Sequence, residues 1–203
     1  KKYLFIFFFI LIFNQSFAAQ NKSISDLKGC AFKITNSYVK DIDNLRIKLI
    51  EIDVHDYRKW TVNGVRILTN RYRYVPDKYK RRFNSTVTVT YQDESKCKFE
   101  ARVRHSGDEK DHIGQFENSI TQSLDVHLIE GNIRGITKFK LLRPKTRGIL
   151  EDEILITEIL RNLNFLAPRT IKMQARVNKI TSTMLFQEKA AKEMLEYNKR
   201  REG

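Results

Sequence analysis

The chain reads as an α+β protein: an N-terminal β-rich region followed by an antiparallel sheet with one long helix. Three observations carry this reading. Leu45-Arg46-Ile47-Lys48-Leu49-Ile50-Glu51-Ile52 and Thr86-Val87-Thr88-Val89-Thr90-Tyr91 alternate apolar and polar side chains at a period of two, the mark of a half-buried strand. From Glu151 to Asn164 the period is helical instead, with Ile156, Ile159, Leu160 and Leu163 on one stripe. Turn chemistry at Asn63-Gly64, Gly131-Asn132 and Asn178-Lys179 punctuates the apolar runs.

Residues 1–19 have the order of a secretory leader. Lys1 and Lys2 precede an apolar block from Tyr3 to Phe13, and Ser16-Phe17-Ala18-Ala19 is a small-residue exit. The apolar block is too short for the roughly twenty residues that a membrane-spanning helix needs. The chain is therefore expected to be exported, to the periplasm, the cell surface or the medium, with no stable transmembrane segment. Losing the leader lowers the net charge from +14 to +12. Such a surplus attracts phosphates, nucleotides, anionic lipid or acidic polymers. Nucleic acid is not expected as a partner, because no arginine-rich repeat, aromatic RNA-binding stretch or zinc-finger spacing is present. In an oxidising compartment the pair Cys30 and Cys97 is expected to form a disulfide, with two buried thiols as the alternative. The loop it closes would contribute about 4 kcal/mol in the chain-entropy treatment.

The elements follow in order. Residues 20–100 form the β-rich region, in which Asn63-Gly64 is expected to turn a hairpin between Trp60-Thr61-Val62 and Val65-Arg66-Ile67-Leu68. Lys78-Tyr79-Lys80-Arg81-Arg82 reads as a solvated basic turn. Phe99 to Arg104 is a strand running into the polar loop Arg104-His105-Ser106-Gly107-Asp108-Glu109-Lys110-Asp111-His112. Leu124 to Leu128 alternates again. Thr137-Lys138-Phe139-Lys140-Leu141-Leu142 is the next strand, with Lys138 and Lys140 on one face and Phe139 and Leu141 on the other. The helix opens on Glu151-Asp152-Glu153, which suits its positive end, and Pro168 bounds it. A hairpin, Ile171 to Val177 and Thr183 to Phe186, leads to the charged Gln187-Glu188-Lys189.

Lys140 on a strand and Glu158 on the following helix, eighteen residues apart, have the order used in protein kinases, where the glutamate holds a lysine against nucleotide phosphates. The spacing alone is common. Further stretches add to it: Arg102-Val103-Arg104-His105-Ser106-Gly107-Asp108, Lys138-Phe139-Lys140-Leu141, Glu158-Ile159-Leu160-Arg161-Asn162-Leu163, Ala167-Pro168-Arg169-Thr170, Val177-Asn178 and Leu185-Phe186-Gln187-Glu188-Lys189. In this order, from Arg102 to Glu196, they resemble the N-terminal part of the CotH family of spore-coat and secreted atypical protein kinases. His105 and Asp108 depart from that family's small polar residues, and Lys179 stands where it has Gly.

The resemblance implies a kinase-like N-lobe over residues 101–189, with residues 190–203 opening a second lobe that the chain as given lacks. It implies ATP with Mg2+ or Mn2+ as cofactors, and a Ser or Thr of an extracellular or coat protein as phosphate acceptor. Lys140 would contact phosphates, with Lys138 as the fallback, and Glu158 would pair with the lysine. Arg104 and Gly107 would lie near the phosphates, and Gln187, Glu188 and Lys189 would form the hinge beside the adenine. Catalytic carboxylates are expected beyond Gly203, so the fragment itself is expected to be inactive. A non-enzymatic cell-surface or adhesion protein on the same fold is the alternative. His105, Asp108, Asp111 and His112 have the chemistry of zinc or manganese ligands, but their spacing matches no standard signature and no metal is assigned to them. A metal-dependent hydrolase centred on that loop is the third reading.

Overall fold

In the first strand, β1 (Ile47–Val54), Ile50 and Ile52 are fully buried while Glu51 and Asp53 point the other way. The same alternation runs through β2 (Phe83–Tyr91) and β3 (Lys96–His105). A computed structural model describes residues 45–116, 119–146 and 150–201. The leader at residues 1–19 and Cys30 lie outside these. Cys97 is buried and disulfide-bonded.

After β3 come the short pair β4 (Ile113–Phe116) and β5 (Ser119–Gln122), then β6 (Leu124–Leu128), β7 (Lys138–Leu142), β8 (Thr170–Val177) and β9 (Ile180–Glu188). Seven of these strands close a barrel in the order β1-β2-β3-β6-β7-β9-β8, and β4 and β5 form a separate two-stranded sheet. Every barrel pair is antiparallel except the closing one, where β1 lies parallel to β8 with Ile52 opposite Val177. The interior holds Val87, Val89, Ala101, Val103, Leu124, Val126, Phe139, Leu141, Ala175 and Phe186, with the rings of Phe139 and Phe186 stacked 4.7 Å apart. A buried side chain of this kind contributes about 1.5–3 kcal/mol.

Closure corrects the fold class expected from the sequence. The molecule is mostly β and is not a kinase-like N-lobe with an open antiparallel sheet and one long helix. Its two substantial helices among the described residues, α1 (Tyr57–Thr69) and α2 (Leu150–Asn162), have thirteen residues each, and α3 (Lys192–Tyr197) has six. β3 runs across the boundary expected at residue 100. Strands before and after that boundary therefore enter one barrel.

The Asn63-Gly64 hairpin is also corrected, because both residues lie inside α1. Asp56 caps the helix by accepting from the Lys59 amide at 3.1 Å, and Trp60, Asn63, Gly64 and Ile67 recur at helical spacing on its buried side. Asn63 is spent on the Tyr79 carbonyl, to which its Nδ2 donates at 2.8 Å. A two-residue turn signal is local, and here the cap and the longer periodicity override it.

For α2 the boundaries agree with the sequence to within two residues, but the buried side differs. Ile154 packs on the outer barrel side chains Leu142 and Leu185. Leu155, Ile156, Ile159 and Leu163, by contrast, stand 59, 56, 47 and 63% exposed. The helix ends where Asn164 takes a left-handed conformation and the Phe165 amide returns to the Leu160 carbonyl at 2.8 Å. Among the described residues no helix is long and apolar enough to cross a membrane.

Candidate functional site

The outward faces of four neighbouring barrel strands carry five of the eight residues that the sequence assigns to nucleotide binding: Arg104, Lys138, Lys140, Gln187 and Lys189. Register fixes their positions, since directly opposed residues of an antiparallel pair share a face. Arg104 of β3 faces Asp125 of β6, Asp125 faces Lys140 of β7, and Lys140 faces Gln187 of β9. A second row runs beside it through Arg102, His127 and Lys138, and the Lys189 amide donates to the Lys138 carbonyl at 3.0 Å.

Asp125 is the centre of this face. Its carboxylate is 2% exposed and accepts from Arg104 Nε at 3.0 Å and Lys189 Nζ at 3.1 Å, with Arg82 at 3.5 Å. Burial pushes its carboxyl up, but the hydrogen bonds from Lys189 and Arg104 and the nearby Arg82 outweigh this and hold it below the usual range. Lys138 lies 3.6 Å from Glu193, which also accepts from Thr137 Oγ1 at 2.8 Å. Glu193 is held low as well: its burial opposes ionisation and is outweighed by backbone donation, Thr137 and Lys138. Lys140 has no carboxylate within ion-pair distance among the described residues, although its charge is felt at Asp108. Burial first, and then the charges of Lys138 and Arg82, push the His127 imidazole down and favour its neutral form. Arg82, Arg102, Arg104, Lys138, Lys140 and Lys189 thus stand against Asp125 and Glu193, and the face is strongly positive.

Glu158 is not part of it. It lies on α2 with Arg161 Nη1 at 3.2 Å and Asn162 Nδ2 at 3.3 Å, and it does not meet Lys140. Two other carboxylates of α2 reach the sheet: Glu153 accepts from Gln187 Nε2 of β9 at 2.6 Å, and Glu151 accepts from Lys172 Nζ of β8 at 2.9 Å. Five residues turn a helix by about 140° beyond a full circle, so Glu153 and Glu158 point to different sides.

Glu188 also departs from its expected role. Its side chain is buried in a two-pronged ion pair with Arg169, Nε to Oε2 and Nη2 to Oε1, both at 2.9 Å. Arg169 further donates to the Arg134 carbonyl at 2.8 Å and lies 4.3 Å from the centre of the Tyr197 ring. The Ala167-Pro168-Arg169-Thr170 and Gln187-Glu188-Lys189 motifs are therefore two halves of one structural contact, and Gln187 and Lys189 are left on the outer face.

The polar loop disperses its candidate ligands. His105 is buried and stacked on Trp60 at 3.9 Å. Asp108 pairs with Lys80 at 2.6 Å, which lowers its carboxyl, and Glu109 pairs with Arg73 at 2.9 Å. Asp111 is exposed, 3.9 Å from the His112 ring. Gly107 has φ of +101°, and a Cβ there would stand 2.0 Å from His112 Cδ2, so glycine is required on both counts. Buried Arg143 holds the loop's far end through Thr121 Oγ1 at 2.9 Å and the Asp111 carbonyl. Among the described residues no group of three or more His, Cys, Asp or Glu side chains converges.

The donor set suits the phosphates of ATP. It suits Mg2+ or Mn2+ poorly, because Asp125 already meets three cations and Glu193 is held by Thr137 and Lys138. Sequence reading missed Asp125, His127 and Arg82. The first two alternate in phase within Leu124 to Leu128, and Arg82 lies in the basic segment read as a solvated turn. No protein-family model and no curated protein matches the chain.

Proposed function

We propose that the positive face across β3, β6, β7 and β9 binds the phosphate groups of ATP, as part of an exported phosphotransferase acting on Ser or Thr of an extracellular or coat protein. One observation carries this: Arg104, Lys138, Lys140, Gln187 and Lys189, chosen from three separate sequence stretches, stand in adjacent rows around Asp125. Asp125 sets the spacing of Arg104 and Lys189, so their remaining donors are preorganised for an anion. Lys140 and Arg102 supply charge that is not committed to a carboxylate among the described residues. Phosphate recognition of this kind belongs to a barrel surface and needs no two-lobed geometry.

Titrating the protein with ATP and with AMP by calorimetry tests the reading. ATP should bind more tightly than AMP, and more weakly as salt rises. Lys140→Ala should weaken ATP by roughly 10- to 100-fold, the equivalent of one charged hydrogen bond of about 1.5–3 kcal/mol. Equal affinity for ATP in wild type and variant would overturn it.

A second reading, a non-enzymatic surface or adhesion protein, is favoured by the exposed apolar side of α2 together with the same positive face. It predicts affinity for polyglutamate that grows with polymer length and is indifferent to ATP.

A further inference from the structure

The side of α2 that faces away from the barrel has the spacing of a helix-to-helix seam. Asp152, Ile156, Ile159 and Leu163 follow one another at intervals of four, three and four residues, the repeat by which paired helices interlock. Leu163 continues the helical path, because its amide donates to the Ile159 carbonyl at 3.0 Å. Leu155 flanks the seam, and Phe165 and Leu166 prolong the apolar surface past the end of the helix; all of these apolar side chains are exposed. Single exposed apolar residues need no explanation, but a contiguous run of large ones marks a contact surface. The opposite side of the helix is already occupied, since Ile154 packs on Leu142 and Leu185 and Thr157 is buried.

Charge indicates what covers the seam. Asp152 stands exposed at its start. At its close Arg200 Nη2 donates to the Asn164 carbonyl at 3.0 Å, which brings the exposed run Lys199-Arg200-Arg201 to the end of the helix. A lipid surface fits this poorly, because Asp152 lies on the seam itself and Glu151 and Glu158 are exposed beside it. Another helix fits, and the same helix turned end for end fits at both ends. The acidic start then meets the basic close, and the two helix dipoles run head to tail. A two-fold axis through Ile159 sets that residue against its own copy and Ile156 against Leu163. It also brings Asp152 level with Asn164, and so with Arg200, of the second copy.

We propose that two copies of this chain pair through α2, antiparallel and two-fold, on Ile156, Ile159 and Leu163, with Asp152 of each copy meeting Arg200 of the other. The seam is about 17 Å long at about 1.5 Å per residue. Such a contact falls short of the standard interface of about 800 Å2 a side, so dissociation is expected in roughly the micromolar range. The pairing does not rest on the phosphate reading, and it uses the apolar side that the adhesion reading leaves to a foreign partner.

Sedimentation velocity over about 1 μM to about 1 mM protein brackets that range. The average mass should rise with concentration towards that of two chains. Ile159→Glu places two carboxylates face to face on the axis and should weaken pairing by at least about 100-fold. Leu163→Glu repeats the test at a more exposed position should the first variant unfold, and Trp60 emission reports whether each is folded. Asp152→Arg and Arg200→Glu should each weaken pairing alone. An equimolar mixture of these two should associate at least as tightly as wild type, because each end of the mixed dimer then joins opposite charges. The proposal is overturned if the chain stays monomeric throughout, whether or not the same face then takes up phosphatidylcholine vesicles or a foreign helix. It is equally overturned if folded Ile159→Glu and Leu163→Glu both dimerise as wild type does, or if the mixture pairs no more tightly than its two components.

Discussion

His105 continues the inward phase of β3 after Cys97, Phe99, Ala101 and Val103, so strand parity alone places its imidazole under Trp60. Burial pushes its pKa from 6.5 down to about 4, against weaker support from the Trp60 backbone and Gln122. The unfolded chain takes up a proton near pH 6.5 and the folded one only near pH 4, so acidification across that window favours unfolding. The loss should reach about 3 kcal/mol at pH 4, a large part of a typical domain's stability. Urea midpoints measured from pH 7 to 4 should fall accordingly, and in His105→Phe, which keeps a ring against Trp60, this component should vanish. An identical pH slope in the variant would refute the assignment. Asp125 acts in a separate, lower window: its depressed carboxyl stabilises the fold above pH 3.8 and that contribution is lost as pH falls further. Parity made His105 readable as a core residue. Its place among polar neighbours in Arg104 to His112 had it read as part of a polar loop instead, because composition says nothing about which way a side chain points.

The β8–β9 hairpin shows how much of an element the sequence contains. Asn178 and Lys179 both take positive φ, 46° and 77°, the conformation of a tight two-residue turn that matches strand twist. Lys179 thus holds the second position of the turn without being glycine. Counting back from that turn places Val177 opposite Ile180 and, eight residues further along each strand, Arg169 opposite Glu188. The buried pair was thus legible once the turn was fixed; treating Glu188 as a hinge overlooked the register. The outward side of α2 was not legible, since an apolar stripe at helical spacing does not say whether another surface covers it. Removing one partner of a buried ion pair leaves the other charge stranded, at a cost of about 3–5 kcal/mol. Glu188→Gln should lower the urea midpoint by that equivalent. The double variant Arg169→Met, Glu188→Leu should recover a substantial part, because no charge is left without its partner. A double variant no more stable than Glu188→Gln would show that the Arg134 carbonyl and Tyr197 contacts, not the charge pair, set the stability here.

Closure of the barrel is a property of the whole molecule, and it rests on the one parallel contact, β1 against β8. Alternation along Leu45 to Ile52 announced a strand but could not name its neighbours, because pairing partners more than a hundred residues apart leave no mark in a local pattern. The division expected at residue 100 likewise rested on local pattern, and β3 runs across it. β1 bonds to β2 on one side and β8 on the other, and the Asn178 amide at the head of the β8–β9 turn donates to the Ile52 carbonyl at 2.9 Å. A chain beginning at His55 would lose Leu45, Ile47, Ile50, Ile52 and Val54 from the core and expose the edges of β2 and β8 together. Unpaired edges of this length invite association, and the loss of five buried side chains removes several kcal/mol more. The shortened chain should therefore elute as a broad, associated species and unfold in urea without a cooperative transition in Trp60 emission. The full chain should show a single transition by the same probe. Restoring residues 47–54 as a separate peptide should bring the transition back, since the missing strand has defined partners on both sides. A cooperative transition in the shortened chain alone would mean that the remaining six strands form a stable open sheet and that the β1–β8 contact is dispensable.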